Sequence, residues 1–339
     1  MDNNDSWLGL VTEEALEPDL PICDAHHHLW GHRKHPAATR YLLDDFLKDA
    51  DCGHTIVSTV VVEANAMHRA DGPRAMAPVG EIEFVNGIAA MSASGQYGKT
   101  RVAAGIIGHA DMRLGARAGP VLDAMIRAAP ARFRGIRHSA TWDADAALPK
   151  HRHVSGPHLL LDETFRAGIG EVARRGLIYE CYLWHTQLPE ITDLARAFPE
   201  LTIICNHCGG PLGLGPYADR QAEVMAAWRR DLAELATCKN VIIKLGGVNM
   251  PVAGHGWQHR ERPPTSDELL ATGGAFIETS IELFGTDRAM FESNYPAERT
   301  SCGYGPLWNF LKKVTRNYSA DEKARLYHDN AVRIYRLAE

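Results

Sequence analysis

Short apolar runs rich in β-branched residues alternate along the chain with segments in which apolar residues recur at helical spacing. Eight such runs are predicted as strands, at residues 22–28, 55–63, 102–108, 133–138, 178–185, 202–207, 240–245 and 289–294. Helical spacing follows several of them, for example at residues 81–94, 163–175 and 223–236. Because strands and helices alternate, the pattern predicts an α/β protein with a parallel sheet.

The number of strand–helix units distinguishes two parallel-sheet folds. Eight units in 339 residues favour a (β/α)8 TIM barrel, predicted as a single domain over residues 1–339 with residues 1–20 as an N-terminal extension packing on the barrel. A doubly wound open sheet is the alternative, but its usual Gly-rich phosphate turn after the first strand is replaced here by histidines. The long loops at residues 64–80, 139–162, 209–221 and 248–266 are expected to roof a pocket at the C-terminal face.

Composition narrows the choice of partners and compartment. The formal net charge is −6 and the basic residues form no stripe, so we expect no nucleic-acid partner. No apolar run is long enough to cross a bilayer, so we expect no membrane partner. The first twenty residues contain no Lys or Arg, unlike a secretory signal, and the seven cysteines are scattered and odd in number. A cytoplasmic protein that acts on a small molecule is therefore expected.

Three consecutive histidines end the first predicted strand, in the run from Asp24 to His28. Side chains alternate along a strand, so Asp24, His26 and His28 are expected on one face and His27 on the opposite face. His26 and His28 are then able to point at one metal ion from the strand's carboxyl end.

Other strand ends carry further candidate ligands and substrate contacts. Polar donors at these positions are Glu63 on strand two, His138 on strand four, His185 on strand five, His207 on strand six and Asn294 on strand eight. Arg137 and Lys244, also at strand ends, are candidates to hold an anionic group of the substrate or to pair with a carboxylate. Trp142 and Trp257 are candidates for the pocket wall.

These motifs together resemble the amidohydrolase superfamily: D-x-H-x-H on strand one, a histidine on strand five, a histidine on strand six followed by Gly-Gly-Pro, and "SNYP" on strand eight. The resemblance is to the amidohydrolase-2, lactonase-like branch of TIM-barrel metal-dependent hydrolases, and it covers residues 22–337. It implies one or two divalent ions that activate water, with His26, His28, His185 and His207 as their ligands.

One position departs from the family pattern. An aspartate usually closes strand eight and accepts the proton from the water, whereas this chain has Asn294, whose amide cannot take a proton. Glu292 precedes it by two residues, which predicts a place about 7 Å deeper in the barrel and a poor position for a base.

The full donor set also resembles the nonheme diiron monooxygenases that share this fold. The first interpretation is therefore an oxygenase that hydroxylates a small organic substrate with two divalent ions, iron first, with manganese or zinc open. His26, His28 and Asn294 would hold one ion, the histidines at 138, 185 and 207 the other, and Glu63 would bridge. Such an enzyme needs O2 and an external electron donor.

Two alternatives stay open. A metal-dependent hydrolase, a lactonase or amidohydrolase, would use metal-activated water, with Glu63 or a metal-bound hydroxide as the base. A non-catalytic barrel that only binds a paralogous chain is disfavoured, because a scaffold has no physical need for five imidazoles at one end. By symmetry statistics we expect a homodimer in each case.

Overall fold

The computed structural model describes residues 4–149 and 156–338 and contains an eight-stranded parallel sheet in the order β1 to β8. The strands are β1 (Ile22–His27), β2 (Ile56–Val62), β3 (Arg101–Gly108), β4 (Phe133–Arg137), β5 (Ile178–Cys181), β6 (Ile203–Cys205), β7 (Val241–Leu245) and β8 (Ala289–Phe291). A parallel bridge between His27 and Tyr295 joins the first strand to the segment after the last. The predicted (β/α)8 TIM barrel is confirmed.

Helices follow the strands and form the outer layer. They are α1 (Asp5–Leu8), α2 (Leu43–Ala50), α3 (Val79–Ala93), α4 (Gly119–Ala128), α5 (Glu163–Arg174), α6 (Leu188–Ala197), α7 (Gln221–Ala236), α8 (Ser266–Phe284), α9 (Tyr304–Val314), α10 (Ala320–Ala324) and α11 (Asn330–Tyr335). None of the helices within the described ranges is long and apolar enough to cross a membrane.

Three strands end two or more residues earlier than the sequence pattern predicts. β5 ends at Cys181, so His185 lies in a 3-10 turn four residues beyond the strand. β6 ends at Cys205 and β8 at Phe291. After β5 the apolar run continues through the buried residues Tyr182–Trp184, which makes the start of this loop look like a strand in the sequence. The residues that follow β6 and β8 are polar but buried.

The barrel closes through the segment that follows β8. The His28 amide donates to the Tyr295 carbonyl over 2.6 Å, and the Asn294 amide donates to the His26 carbonyl over 2.8 Å. Asp24 strengthens this seam, because its carboxylate accepts hydrogen bonds from the Ser293 amide and hydroxyl (2.9 and 2.6 Å). The seam brings the histidines of β1 next to the residues that follow β8.

Asp24 does not share a face with His26 and His28, so that expectation is wrong. Its carboxylate also accepts from the hydroxyl of Tyr304, in α9 outside the barrel (2.9 Å), and the β1–β2 register shifts between Asp24 and His27. The register shift breaks the strict alternation on which the expectation depended. Burial raises the pKa of the Asp24 carboxyl to about 6.

A buried ion pair crosses the apolar interior of the barrel. The Lys244 ammonium donates to the Glu180 carboxylate over 2.8 Å, and both side chains are fully buried. The Tyr335 hydroxyl and the Asn206 amide donate to the same carboxylate (2.6 and 2.8 Å). Lys244 therefore serves the barrel core, and the structure does not bring it to the pocket as a substrate contact.

The N-terminal segment contacts the outside of the barrel at α8 and α9. The Leu16 amide donates to the Asn309 side chain (2.8 Å), and the Lys312 ammonium donates to the Leu16 carbonyl (2.8 Å). The Ser266 hydroxyl donates to Glu13 over 2.5 Å. The first three residues of the predicted extension, and residues 150–155 of the predicted loop at 139–162, lie outside the described residues.

Replacing Lys244 by methionine should destabilise the fold strongly. The change leaves the buried Glu180 carboxylate without its cation, which costs about 3–5 kcal/mol in comparable pairs. The free energy of unfolding from urea titration measures this loss. Lys313→Met is the control, because Lys313 pairs with the largely exposed Asp267 and its loss should cost less than about 1 kcal/mol. A small loss in Lys244→Met together with weaker substrate binding would return Lys244 to the pocket.

Candidate active site

A cavity of about 250 Å³ opens at the carboxyl ends of the strands. Its wall combines polar groups with aromatic and apolar surface, contributed by His28, Trp30, Arg33, His35, Glu63, Ala64, Asn65, Arg137, Tyr182, His207, Met250, Asn294 and Ala297. The volume suits a small organic molecule, which agrees with the expected kind of substrate.

Two histidines meet one carboxylate beside this cavity. Glu292 Oε1 lies 2.6 Å from His207 Nδ1 and accepts from the His207 amide over 3.2 Å. Glu292 Oε2 lies 2.7 Å from His26 Nδ1, although the two atoms are not aligned for a hydrogen bond. One donor atom from each of these three buried residues falls within 4.8 Å of the others. Glu292 is the first residue beyond β8, is fully buried and does not line the cavity, so its predicted poor position for a base stays a prediction, although it contacts both histidines.

His28 and Asn294 form a second contact at the cavity wall. His28 Nδ1 lies 2.8 Å from the Val62 carbonyl, and since a carbonyl only accepts, Nδ1 carries the proton. The other ring nitrogen, Nε2, then has a free electron pair and faces Asn294 Oδ1 at 3.2 Å. Burial holds the pKa of His28 well below its usual value, so the ring is neutral. Two electron-pair donors therefore face each other.

Arg137 and Glu63 form a buried ion pair. The sequence had left open whether Arg137 pairs with a carboxylate or holds the substrate. Arg137 donates through Nε to Glu63 Oε1 (2.8 Å) and through Nη2 to the Glu63 carbonyl (2.9 Å). The amide of Asn65 donates to the other Glu63 oxygen over 2.9 Å. Arg137 Nη1 lies 3.1 Å from His26 Nε2, which accepts from it because a guanidinium only donates. Glu63 thus holds Arg137 in place, and Arg137 lines the cavity, while its role as a substrate contact stays a prediction.

The structure does not bring His138 into the cavity. Its neighbour Arg137 faces the barrel interior, so alternation along β4 turns His138 outward. The ring packs edge-on against His109 and against Phe165 of α5, with centroids 5.2 Å apart in both cases, and Nδ1 accepts from the Met112 amide over 3.1 Å. These contacts are those of a histidine with a structural role in packing.

His185 faces a neighbouring cavity of about 410 Å³, beside α7. Its ring packs edge-on against Tyr217 at 5.1 Å, and burial lowers its pKa to about 4. Tyr182, which directly follows β5, reaches the candidate site instead and packs edge-on against His207 at 4.9 Å. Because β5 is short, the residue just after the strand reaches the cavity and the histidine three residues later does not.

The two tryptophan candidates also lie away from the lining. The Trp142 amide donates to the Gln187 side chain (3.0 Å), and Trp257 is buried beneath the Arg260 guanidinium. Arg33, Asn65 and Met250 line the cavity without having been predicted. They lie in irregular loops, and no period or motif marks them in the sequence.

The sequence model of the family described as Amidohydrolase matches residues 23–337. The chain belongs to the amidohydrolase family. The resemblance read from the D-x-H-x-H and SNYP motifs is thereby confirmed.

Similar proteins span nearly the whole length. A Sinorhizobium fredii protein, y4mH, whose activity is uncharacterised, is 32% identical over 337 residues, covering 94% of this chain and 99% of its own. L-fucono-1,5-lactonase of Burkholderia multivorans is 25% identical over 322 residues, covering 93% and 96%. A Burkholderia multivorans amidohydrolase solved with bound zinc superposes with a TM-score of 0.70 at 22% identity, covering 94% and 99%. The last comparison supports the fold.

The donors beside the cavity fit one divalent ion. His26, His207 and Glu292 each place one donor atom within 4.8 Å of the others. Binding through His26 Nδ1 would need the tautomer with its proton at Nε2, so Arg137 Nη1 would no longer donate to that ring. His28 and Asn294 add two facing electron-pair donors next to them. Imidazole and carboxylate ligands of this kind suit zinc, manganese or iron. The ligands expected for a second ion are not gathered, because His138 and His185 lie elsewhere.

Proposed function

We propose that this chain is a metal-dependent hydrolase of a small lactone. The observation that carries the proposal is the convergence of His26, His207 and Glu292 beside a cavity into which a fixed guanidinium projects. The similarity to L-fucono-1,5-lactonase along nearly the whole chain supports the lactone as substrate. The zinc in the structurally similar Burkholderia multivorans protein supports a divalent ion, and zinc is the first candidate.

In this proposal the ion is held by His26, His207 and Glu292. When bound, a divalent ion lowers the pKa of a coordinated water to near neutrality and polarises an ester carbonyl. His28 keeps Nε2 unprotonated at the cavity wall and is able to hold a proton at that atom. The Asn294 side chain faces His28 Nε2 and orients this part of the cavity wall, and its amide takes no proton.

Arg137 has the position and rigidity to stabilise negative charge on the substrate. Its guanidinium is 5% exposed and is fixed by Glu63, so its direction is set before the substrate binds. A preorganised donor aimed at the developing oxyanion is worth more than a mobile one, because no reorganisation is needed during the reaction. We propose Glu63 as the residue that positions Arg137, in place of its expected roles as bridging ligand and base.

The diiron oxygenase interpretation loses its structural basis. Its seven expected ligands do not form one group, since His138 and His185 lie elsewhere and Glu63 is engaged by Arg137. Iron, O2 and an electron donor are therefore not part of the proposal, and the hydrolase alternative replaces them. The homodimer stays a prediction.

Hydrolysis should proceed without oxygen. L-fucono-1,5-lactone is the first substrate to test, with acid release followed by a pH indicator under strict anaerobiosis and in air. Equal rates in both atmospheres, lost on chelation and restored by zinc, are expected. An absolute requirement for O2 and a reductant would overturn the hydrolase.

The zinc content of variants should distinguish the residues proposed as ligands from the histidines that lie outside the cavity. Zinc-loaded protein is expected to hold about one ion per chain by elemental mass spectrometry. His207→Ala and Glu292→Ala should weaken zinc binding by at least about 10-fold, as loss of ligands or their immediate partners does. His138→Ala and His185→Ala are the matched controls and should retain it. About two ions per chain, with one lost in His138→Ala, would restore the dinuclear site.

Arg137→Met should lower kcat/KM by about 100-fold or more, which is the usual loss when a preorganised charge donor is removed. Arg137→Lys should rescue little, because an ammonium cannot keep both the Glu63 and His26 contacts. Arg113→Met is a control at a largely exposed arginine that pairs with Asp111. Arg137→Met leaves the Glu63 carboxylate without its cation, so the folding of this variant is checked by circular dichroism. A double variant, Arg137→Met with Glu63→Gln, also removes the unpaired charge of Glu63. Wild-type kinetics in the folded double variant would contradict the role of Arg137.

A further inference from the structure

A second carboxyl group lies directly behind Asn294. Glu298 lies about one helical turn after Asn294, and its backbone amide donates to the Asn294 carbonyl over 3.2 Å. The residue belongs to a 3-10 turn (Ala297–Thr300) and is fully buried. Its neighbour Ala297 lines the cavity, whereas Glu298 itself does not. The acid is therefore close to the site without touching its contents.

The surroundings of this acid are unusual for a buried carboxyl. Neither carboxyl oxygen has a well-aligned hydrogen-bond partner among the described residues, and neither does the Asn294 amide nitrogen. Burial raises the pKa of Glu298 to about 8, and the nearby polar Asn294 side chain opposes that rise. The Glu292 carboxylate nearby raises it further. A buried carboxyl of this kind is costly unless something uses it.

The side-chain amide nitrogen of Asn294 needs a hydrogen-bond acceptor on the side away from His28. Its Oδ1 faces His28 Nε2 at 3.2 Å, so its amide nitrogen points away from that ring, toward the protein interior. The backbone of Asn294 is left-handed, with φ of 55°, which is tolerated by asparagine better than by most residues. The orientation of the amide therefore depends on what accepts from its nitrogen.

We propose that Glu298 is the positioning residue for Asn294, and that the two form an amide–acid pair in place of a single aspartate after strand eight. Glu298 accepts from the amide nitrogen, which keeps Oδ1 directed at His28 and the cavity. This inference rests on the proposed function only for its kinetic consequence, since the pairing itself is a property of the fold.

The pair also explains why position 294 is not an acid in this chain. An aspartate there would place a third carboxyl beside Glu292 and Glu298, in a region that is fully buried. Carboxyl groups sharing such a site oppose each other's ionisation and disfavour the folded state. An acid at 294 should therefore destabilise the fold less when the acid at 298 is replaced by an amide.

Exchanging the two groups tests the pairing without any substrate. Asn294→Asp should lower the melting temperature by about 2–3 °C, because it adds a third carboxyl to a fully buried region. Asn294→Asp combined with Glu298→Gln should recover at least half of that loss, because the pair again contains one acid and one amide. Asn330→Asp is the matched control, with Asn330 bonded to the Ala289 carbonyl at the opposite end of β8. Its loss should add to that of Glu298→Gln without recovery. Additive losses in the exchange pair would overturn the proposal.

Kinetics separate positioning from mere stability. Glu298→Leu should lower kcat by about 10-fold with KM within twofold, because it removes only the acceptor behind Asn294. Glu298→Gln keeps an acceptor oxygen and should retain kcat within about threefold. Equal activity of the leucine and glutamine variants would show that Glu298 does not position Asn294. If wild-type protein hydrolyses no lactone, the proposed function fails, while recovery of the melting temperature would still support the pair.

Discussion

Closure of the barrel between β1 and the segment after β8 is the constraint on which the candidate site depends. Two backbone hydrogen bonds and the Asp24 carboxylate hold this seam. The seam is what places His26 and His28 against Glu292 and Asn294, although more than 260 residues separate them in the chain. A metal ligand set built across a closing seam is rigid, because any shift of these residues would break ladder hydrogen bonds.

Buried charges in this barrel are arranged in separate compensated groups. Lys244 neutralises Glu180 in the interior, and Arg137 neutralises Glu63 at the edge of the cavity. Glu292 is left to the two histidines at 26 and 207. This division decides the chemistry, because a carboxylate already neutralised by a guanidinium has little remaining attraction for a metal ion. In the proposed function, the cationic group for the substrate, Arg137, and the anionic group for the ion, Glu292, are consequently different residues.

This arrangement of buried charges accommodates both the features that the chain shares with its family and the positions at which it departs from the family pattern. The amidohydrolase barrel supplies histidines at the ends of β1 and β6, and both remain in the candidate site. Asn294 replaces the usual aspartate, while Glu292 lies in contact with the histidines and Glu298 lies behind the amide. Acid groups are thus still present after β8, but at positions that a comparison of position 294 alone does not reveal.

The sequence by itself determined the barrel and the approximate strands, and it placed His26, His28, His207 and Arg137 at strand ends that meet beside the cavity. These follow from local periodicity and from motifs at strand ends, which are properties of short segments. Only the tertiary structure decided which strand-end donors meet. The length of β5 directs Tyr182 rather than His185 to the cavity, the alternation of β4 turns His138 outward, and the short β8 brings Glu292 into contact with two histidines. The reason is that a displacement of one residue at a strand end reverses the direction of a side chain, and the sequence pattern does not locate strand ends that closely.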